Sequence, residues 1–198
     1  MKKIIGIILI FIGISVIGTA LGMRYYGESK QKNMMKNFEK SIANYKDTGS
    51  DTTATGDTSP NTKPQQEESG TIGIITIPKI DLKVAVGEGV DMNTLKYAVG
   101  HFPGTAEAGQ KGNFCVAGHR SYTFSEYFNR LDEVNNGDEI YVRTKKGEFK
   151  YVVYEKKVVE PSEYSVLDPT KDATLTLVTC TPVRVATHRL IIKARMSS

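Results

Sequence analysis

Two cysteines and three histidines are the chemically versatile side chains of this 198-residue chain. Cys180 ends an alternating run, Thr174-Leu175-Thr176-Leu177-Val178-Thr179, and precedes Thr181-Pro182. A cysteine where a strand gives way to a loop is aimed by the strand and given room by the loop, which suits a nucleophile. The competing reading is a small buried hydrophobe, the usual fate of a free cysteine. Cys115 lies inside Asn113-Phe114-Cys115-Val116-Ala117, with apolar neighbours on both sides, and reads as core. A Cys115–Cys180 disulfide would need an oxidising compartment and has no other support.

A thiol of ordinary pKa, about 8.5, is only a few per cent thiolate at neutral pH. A nucleophilic cysteine therefore needs a base or an imidazolium beside it. His119, in Gly118-His119-Arg120, follows the Cys115 strand, and His188 opens the last strand; both fit by position. His101 sits in a turn-rich stretch, Gly100-His101-Phe102-Pro103-Gly104. Acyl chemistry also needs a cation or backbone donors for the developing oxyanion. If Thr181–Thr187 is a hairpin loop, Arg189 falls opposite Cys180, one strand spacing of about 4.8 Å away. Arg184 sits mid-loop, where a solvated charge is usual, and Arg195 lies several pairs further on. Arg120 is expected to project to the face opposite His119 in an extended chain.

These groups need a scaffold. Thr71–Ile77 and Leu82–Val86 are β-branched runs separated by Pro78-Lys79. Asn113–Ala117, Leu175–Cys180 and His188–Arg195 are further strands, and Glu139–Thr144 and Glu148–Val159 flank the turn Lys145-Lys146-Gly147. Two short helices are expected, Met92–Tyr97 and Phe124–Leu131, the second opened by a capping box Thr123-x-x-Glu126. Seven or eight short strands in one unit indicate an all-β barrel or sandwich.

That unit spans residues 71–198. The chain before it divides in three. Residues 1–23 hold Lys2, Lys3 and then Ile4 to Met23, twenty residues without a charge. As a helix these span about 30 Å, the hydrocarbon thickness of a bilayer. A cleaved secretory signal is the rival, with Ala20-Leu21-Gly22 as its small-x-small site, but its apolar region is ordinarily shorter. Residues 24–46 form a basic stalk with Met34, Met35, Phe38, Ile42 and Tyr45 at roughly helical spacing. It reads equally as a short helix near lipid headgroups or as a partly ordered tether. Residues 47–70 contain no large apolar residue and read as a disordered linker. The formal net charge of +4 is too small to indicate nucleic-acid binding, and no Cys-x-x-Cys or His/Cys cluster suggests zinc. Glu107, Asp132 and Glu133 are scattered acids without the spacing of a calcium site. No cofactor is expected.

With these residues assembled, the chain resembles the sortase family of cysteine transpeptidases from about Ile74 to Ala194. The resemblance is carried by Ile77-Pro78-Lys79-Ile80-Asp81-Leu82, Val99-Gly100-His101-Phe102-Pro103-Gly104-Thr105, Ala117-Gly118-His119-Arg120, Thr174 through Cys180, and His188-Arg189-Leu190-Ile191. It implies a closed eight-stranded β-barrel. It implies Cys180 as nucleophile, His119 as acid/base and Arg189 as the oxyanion-stabilising group, with Thr179, Thr181 and Ala117 lining the substrate site. The implied substrates are surface proteins bearing an LPxTG-type sorting signal and a peptidoglycan amine. Both lie outside the membrane, so the barrel is expected outside and the N-terminus inside. The flanking lysines, counted alone, favour the reverse. The absence of a lid motif and of a large inserted helix suggests a compact housekeeping-type or class D enzyme. A cysteine protease using the same three groups and a non-enzymatic surface adhesion domain are the rival functions.

Overall fold

The computed structural model describes residues 2–48, 70–120 and 127–197. Helix α1 (Lys2–Thr48) is followed by β1 (Thr71–Ile77), β2 (Leu82–Glu88), the short helix α2 (Met92–Tyr97), β3 (Val99–His101) and β4 (Gly112–Ala117). Then come β5 (Glu139–Thr144), β6 (Gly147–Val159), β7 (Ala173–Thr181) and β8 (His188–Met196). The eight strands close into a barrel in the order β1-β2-β3-β4-β7-β8-β6-β5.

The β-branched runs form strands where the sequence places them, and alternate residues fill the barrel. Ile75, Val84, Val116, Leu175, Leu177 and Ile192 are fully buried in one cluster. Burying side chains of this size contributes roughly 1.5–3 kcal/mol each. The threonines of β7 do not face water as simple alternation implies. Thr174 and Thr176 are buried, and both donate to Asn113 Oδ1, at 3.3 and 2.7 Å. Asn113 Nδ2 donates in turn to the carbonyls of Val166 and Asp168, at 3.0 and 3.1 Å. One buried amide thus ties the β6–β7 connection over the outer face of β4 and β7.

Two elements differ from expectation. β3 lies in the stretch that reads as a loop. It pairs in parallel with β2 and antiparallel with β4. It is too short for a pattern, and Gly100 allows the approach, since a Cβ there would lie 2.2 Å from the Gly89 carbonyl oxygen. The expected Phe124–Leu131 helix is not α-helical over its described part. Tyr127–Arg130 is a turn leading into a 3-10 turn, Leu131–Glu133. The Phe128 amide is spent on the His119 carbonyl (3.1 Å), and Leu131 N bonds Phe128 O instead of the carbonyl four back. A tertiary hydrogen bond outcompetes the helix. The proposed capping box, Thr123 to Glu126, and linker residues 49–69 lie outside the described residues.

The stalk is a continuation of the apolar helix, and it docks on the barrel. Met34 and Phe38 are buried. Met34 packs with Ala85 and Ala98, with Met35 and Tyr97 around them. Tyr26 meets Tyr97 edge-on at 6.3 Å between ring centres, and Lys83 pairs with Glu39 at 3.0 Å. The stalk and barrel therefore pack together instead of being joined by a linker alone. The helix is long and apolar enough to cross a membrane, and its most apolar stretch is unburied.

Candidate active site

Strand pairing sets the site. β7 and β8 pair antiparallel with Cys180 opposite Arg189 and Thr181 opposite His188. Directly paired residues share a face, so the thiol and the guanidinium emerge side by side. β4 and β7 pair in parallel up to Ala117 opposite Val178. The ladder continues through Gly118 N, which donates to Val178 O at 3.1 Å, and Thr179 Oγ1, which donates to Gly118 O at 2.7 Å. His119 and Cys180 each stand two residues beyond that last pair, at neighbouring strand ends. Ala117, Val178, Cys180 and Arg189 thus share the outer face of the wall.

The segment behind His119 is braced. Phe128 packs under Gly118, where a Cβ would lie 2.5 Å from the ring. Only a glycine lets the backbone sit this close to a fully buried ring. The hydrogen bond from Phe128 N holds the His119 carbonyl.

Cys180 is half-buried and Cys115 fully buried, and both are free thiols. Burial pushes the Cys115 thiol up to about 12, desolvation far outweighing the nearby Thr105 hydrogen bond. Its Sγ lies 3.5 Å from Asn113 O and 3.9 Å from Leu167 O. Only one of the two sulfurs is open to chemistry.

The other candidates have other partners. His101 is buried between Glu88 (Nδ1 to Oε2, 2.8 Å) and Thr105 (Nε2 to Oγ1, 2.9 Å), over the Phe114 ring. It lines a cleft of about 490 Å³ together with Phe38 of α1, and none of Cys180, His119 and Arg189 lines that cleft. His188 is half-exposed and meets Glu160 at 3.1 Å and Thr187 at 2.9 Å. Arg189 donates through Nη1 to the carbonyls of Ala186 (3.2 Å) and His188 (3.0 Å), so it also braces the β7–β8 loop. That loop holds Arg184 and Ala186 at positive φ, +68° and +59°, a costly region for residues with a Cβ.

The lining residues separate. Ala117 lies on the outer face. Thr179 is buried and its hydroxyl is committed to Gly118, so it has no free face for a substrate; its position makes it a clasp between β4 and β7. Thr181 is half-buried, and its hydroxyl accepts a hydrogen bond from Arg120 Nη1 at 2.8 Å. Arg120 is the residue that sequence reasoning passed over. It projects away from the His119 side as expected, but into a buried setting. Glu107 pairs with Lys146, Asp132 with Arg120 (2.7 Å) and Glu133 with Arg130 (2.7 Å). Among the described residues no three His, Cys, Asp or Glu side chains group as metal ligands.

Comparison with known proteins agrees with this architecture. A sortase-domain family model matches residues 75–197. Sortase D of Bacillus subtilis is 27% identical over 184 residues, covering 92% of this chain and 90% of that protein. Sortase A of Listeria monocytogenes is 31% identical over 125 residues, 63% of this chain and only 56% of that protein's length. Among solved structures, the Sortase D5 transpeptidase of Clostridium perfringens superimposes with a TM-score of 0.68 and 30% identity, over 86% of this chain and 99% of that one. Sortase A of Corynebacterium diphtheriae, a lid mutant, gives a TM-score of 0.64 at 33% identity over 68% and 74%. From its barrel closure to the family match across that barrel, the chain is a member of the sortase family.

Proposed function

We propose that the protein is a membrane-anchored cysteine transpeptidase acting on an LPxTG-type sorting signal. The observation that carries this reading is the pairing of Cys180 with Arg189 beside the strand end bearing His119. His119 takes the Cys180 proton, the sulfur attacks the threonine carbonyl of the signal, and the carbonyl's electron pair moves onto its oxygen. Arg189, released from the Ala186 and His188 carbonyls as substrate enters, stabilises that oxyanion. The bond to glycine breaks as His119 delivers a proton to the departing amine. A thioester on Cys180 remains. A peptidoglycan amine then attacks it, His119 takes the amine's proton, the carbon–sulfur bond breaks, and His119 returns that proton to the sulfur. Thr181 and Ala117 border the bound peptide. With the apolar part of α1 in the bilayer, the barrel faces the cell wall and the N-terminus the cytoplasm.

The full-length protein in detergent micelles, given an LPxTG-type peptide, is expected to form an acyl-enzyme on Cys180, detected by mass spectrometry. An added amine is expected to appear in the product. Absence of the adduct, or its location on Cys115, refutes the reading. Product formed only with water at every amine concentration makes the protein a hydrolase instead.

A further inference from the structure

We propose that Arg120 is a positioning residue that sets the spacing between His119 and Cys180. This rests on the proposed roles of those two residues. Arg120 follows His119 in the chain, and Thr181 follows Cys180. The Arg120 side chain is 6% exposed, and its guanidinium uses three sides at once. Nη1 donates to Thr181 Oγ1 at 2.8 Å, Nε donates to Asn129 O at 3.3 Å, and Nη2 meets Asp132 Oδ1 at 2.7 Å.

The location makes these bonds mechanical. The β4–β7 pairing ends with Ala117 opposite Val178 and a last clasp of Gly118 to Val178 and Thr179, one residue short of the two reacting residues. Beyond it, among the described residues, no backbone hydrogen bond joins 119 to 180, so their spacing depends on a side-chain link. Arg120 supplies that link from the face turned toward the barrel interior, the same face as Thr179. Its other two bonds hold it to the 127–133 turn, which also grips the His119 carbonyl and underlies Gly118. The guanidinium thus joins both strand ends to one rigid support. A planar fork with five donors can serve three acceptors in fixed directions, and an ammonium cannot. The side chain touches no reacting atom, so its effect on rate passes through His119 and Cys180.

The test uses the full-length protein in micelles, with Arg120→Gln, Arg120→Lys and Thr181→Val. Arg120→Gln is expected to lower kcat about 10- to 100-fold, the worth of a charge-assisted hydrogen bond, with KM within about threefold. Arg120→Lys is expected to restore less than a tenth of the lost rate. Thr181→Val removes only the bond reaching the Cys180 strand and keeps the other two, so it folds even if Arg120→Gln does not. It is expected to lower kcat about 3- to 10-fold. In Arg120→Gln and Thr181→Val the pH profile of iodoacetamide alkylation at Cys180 shifts relative to the parent, because thiol–imidazole spacing has changed. Wild-type kcat or an unshifted profile in Thr181→Val overturns the proposal, as does a full rescue by Arg120→Lys. A change confined to KM also overturns it, since it makes Thr181 a substrate contact only. An inactive parent protein fails the transpeptidase reading instead, and the alkylation profiles still report on the spacing.

Discussion

Iodoacetamide offered to the native full-length protein is expected to modify Cys180 and leave Cys115 untouched. Burial lifts the Cys115 thiol from 9.0 to about 12. At pH 8 the thiolate fraction then drops from about a tenth to about one in ten thousand, near 1000-fold. Steric exclusion adds to this, because Cys115 is fully buried, paired with Thr176 on one side and bonded through its carbonyl to Phe102 N on the other. Modification of Cys115 must therefore wait for unfolding. A quenched time course at pH 8, read by peptide mass spectrometry, checks this against a guanidinium-unfolded control in which both thiols react. Modification of native Cys115 within about tenfold of the Cys180 rate refutes the reasoning. The same shift affects stability. A folded-state pKa above the unfolded one leaves stability intact below about pH 9; it is lost as pH rises toward 12. Three units correspond to at most about 4 kcal/mol. Burial raises Tyr127 and Tyr151 in the same direction. Cys115→Ala, whatever its cavity cost at neutral pH, is expected to flatten the fall in stability between about pH 9 and 12, measured by urea titration at each pH.

Three further outcomes follow from the packing. Gly118→Ala puts a methyl group 2.5 Å from the Phe128 ring; it is expected to cost about 1–3 kcal/mol in urea unfolding and to lower turnover more than that loss explains, since His119 moves with the backbone. Asn113→Ala leaves the Val166 and Asp168 carbonyls and the buried Thr176 hydroxyl without that partner, while Thr174 keeps Gly112 O and Thr170; about 2–4 kcal/mol should be lost, with faster deuterium exchange across residues 160–172. Phe38→Asp places a charge in the docked face of α1; exchange over residues 26–45 is expected to accelerate while the barrel strands stay protected, and unchanged exchange there contradicts the docking.

The strands were legible because β-branched runs bounded by turn residues leave little choice, and β1 and β5 match their expected limits at both ends. Cys180 opposite Arg189 followed from a hairpin, a local inference. The nearness of His119 did not. It depends on a parallel pairing that joins Gly112 to Ala173, and no local pattern encodes which distant strand a given strand adopts. His119 and His188 were equal by position for that reason. Arg120 was legible only as a side chain facing away from His119; its acceptors come from residues 129, 132 and 181, which the fold alone assembles. The turn at 127–133 was misread because the capping pattern is local, whereas the bond that defeats the helix comes from His119. Met34 and Phe38 show the same limit, since an amphipathic stripe does not state what it will cover.

The docked helix works as a ruler. Counted from Met23, the buried Met34 and Phe38 stand about 16 and 22 Å further along the axis. If, as proposed, the apolar stretch lies in the bilayer, the wall bearing Cys180 hangs at one storey above the lipid instead of roaming on a leash. On the function proposed above, a membrane-bound substrate must then bring its scissile bond to that height, so the spacing between its motif and its own membrane segment becomes a criterion of selection separate from the motif's letters.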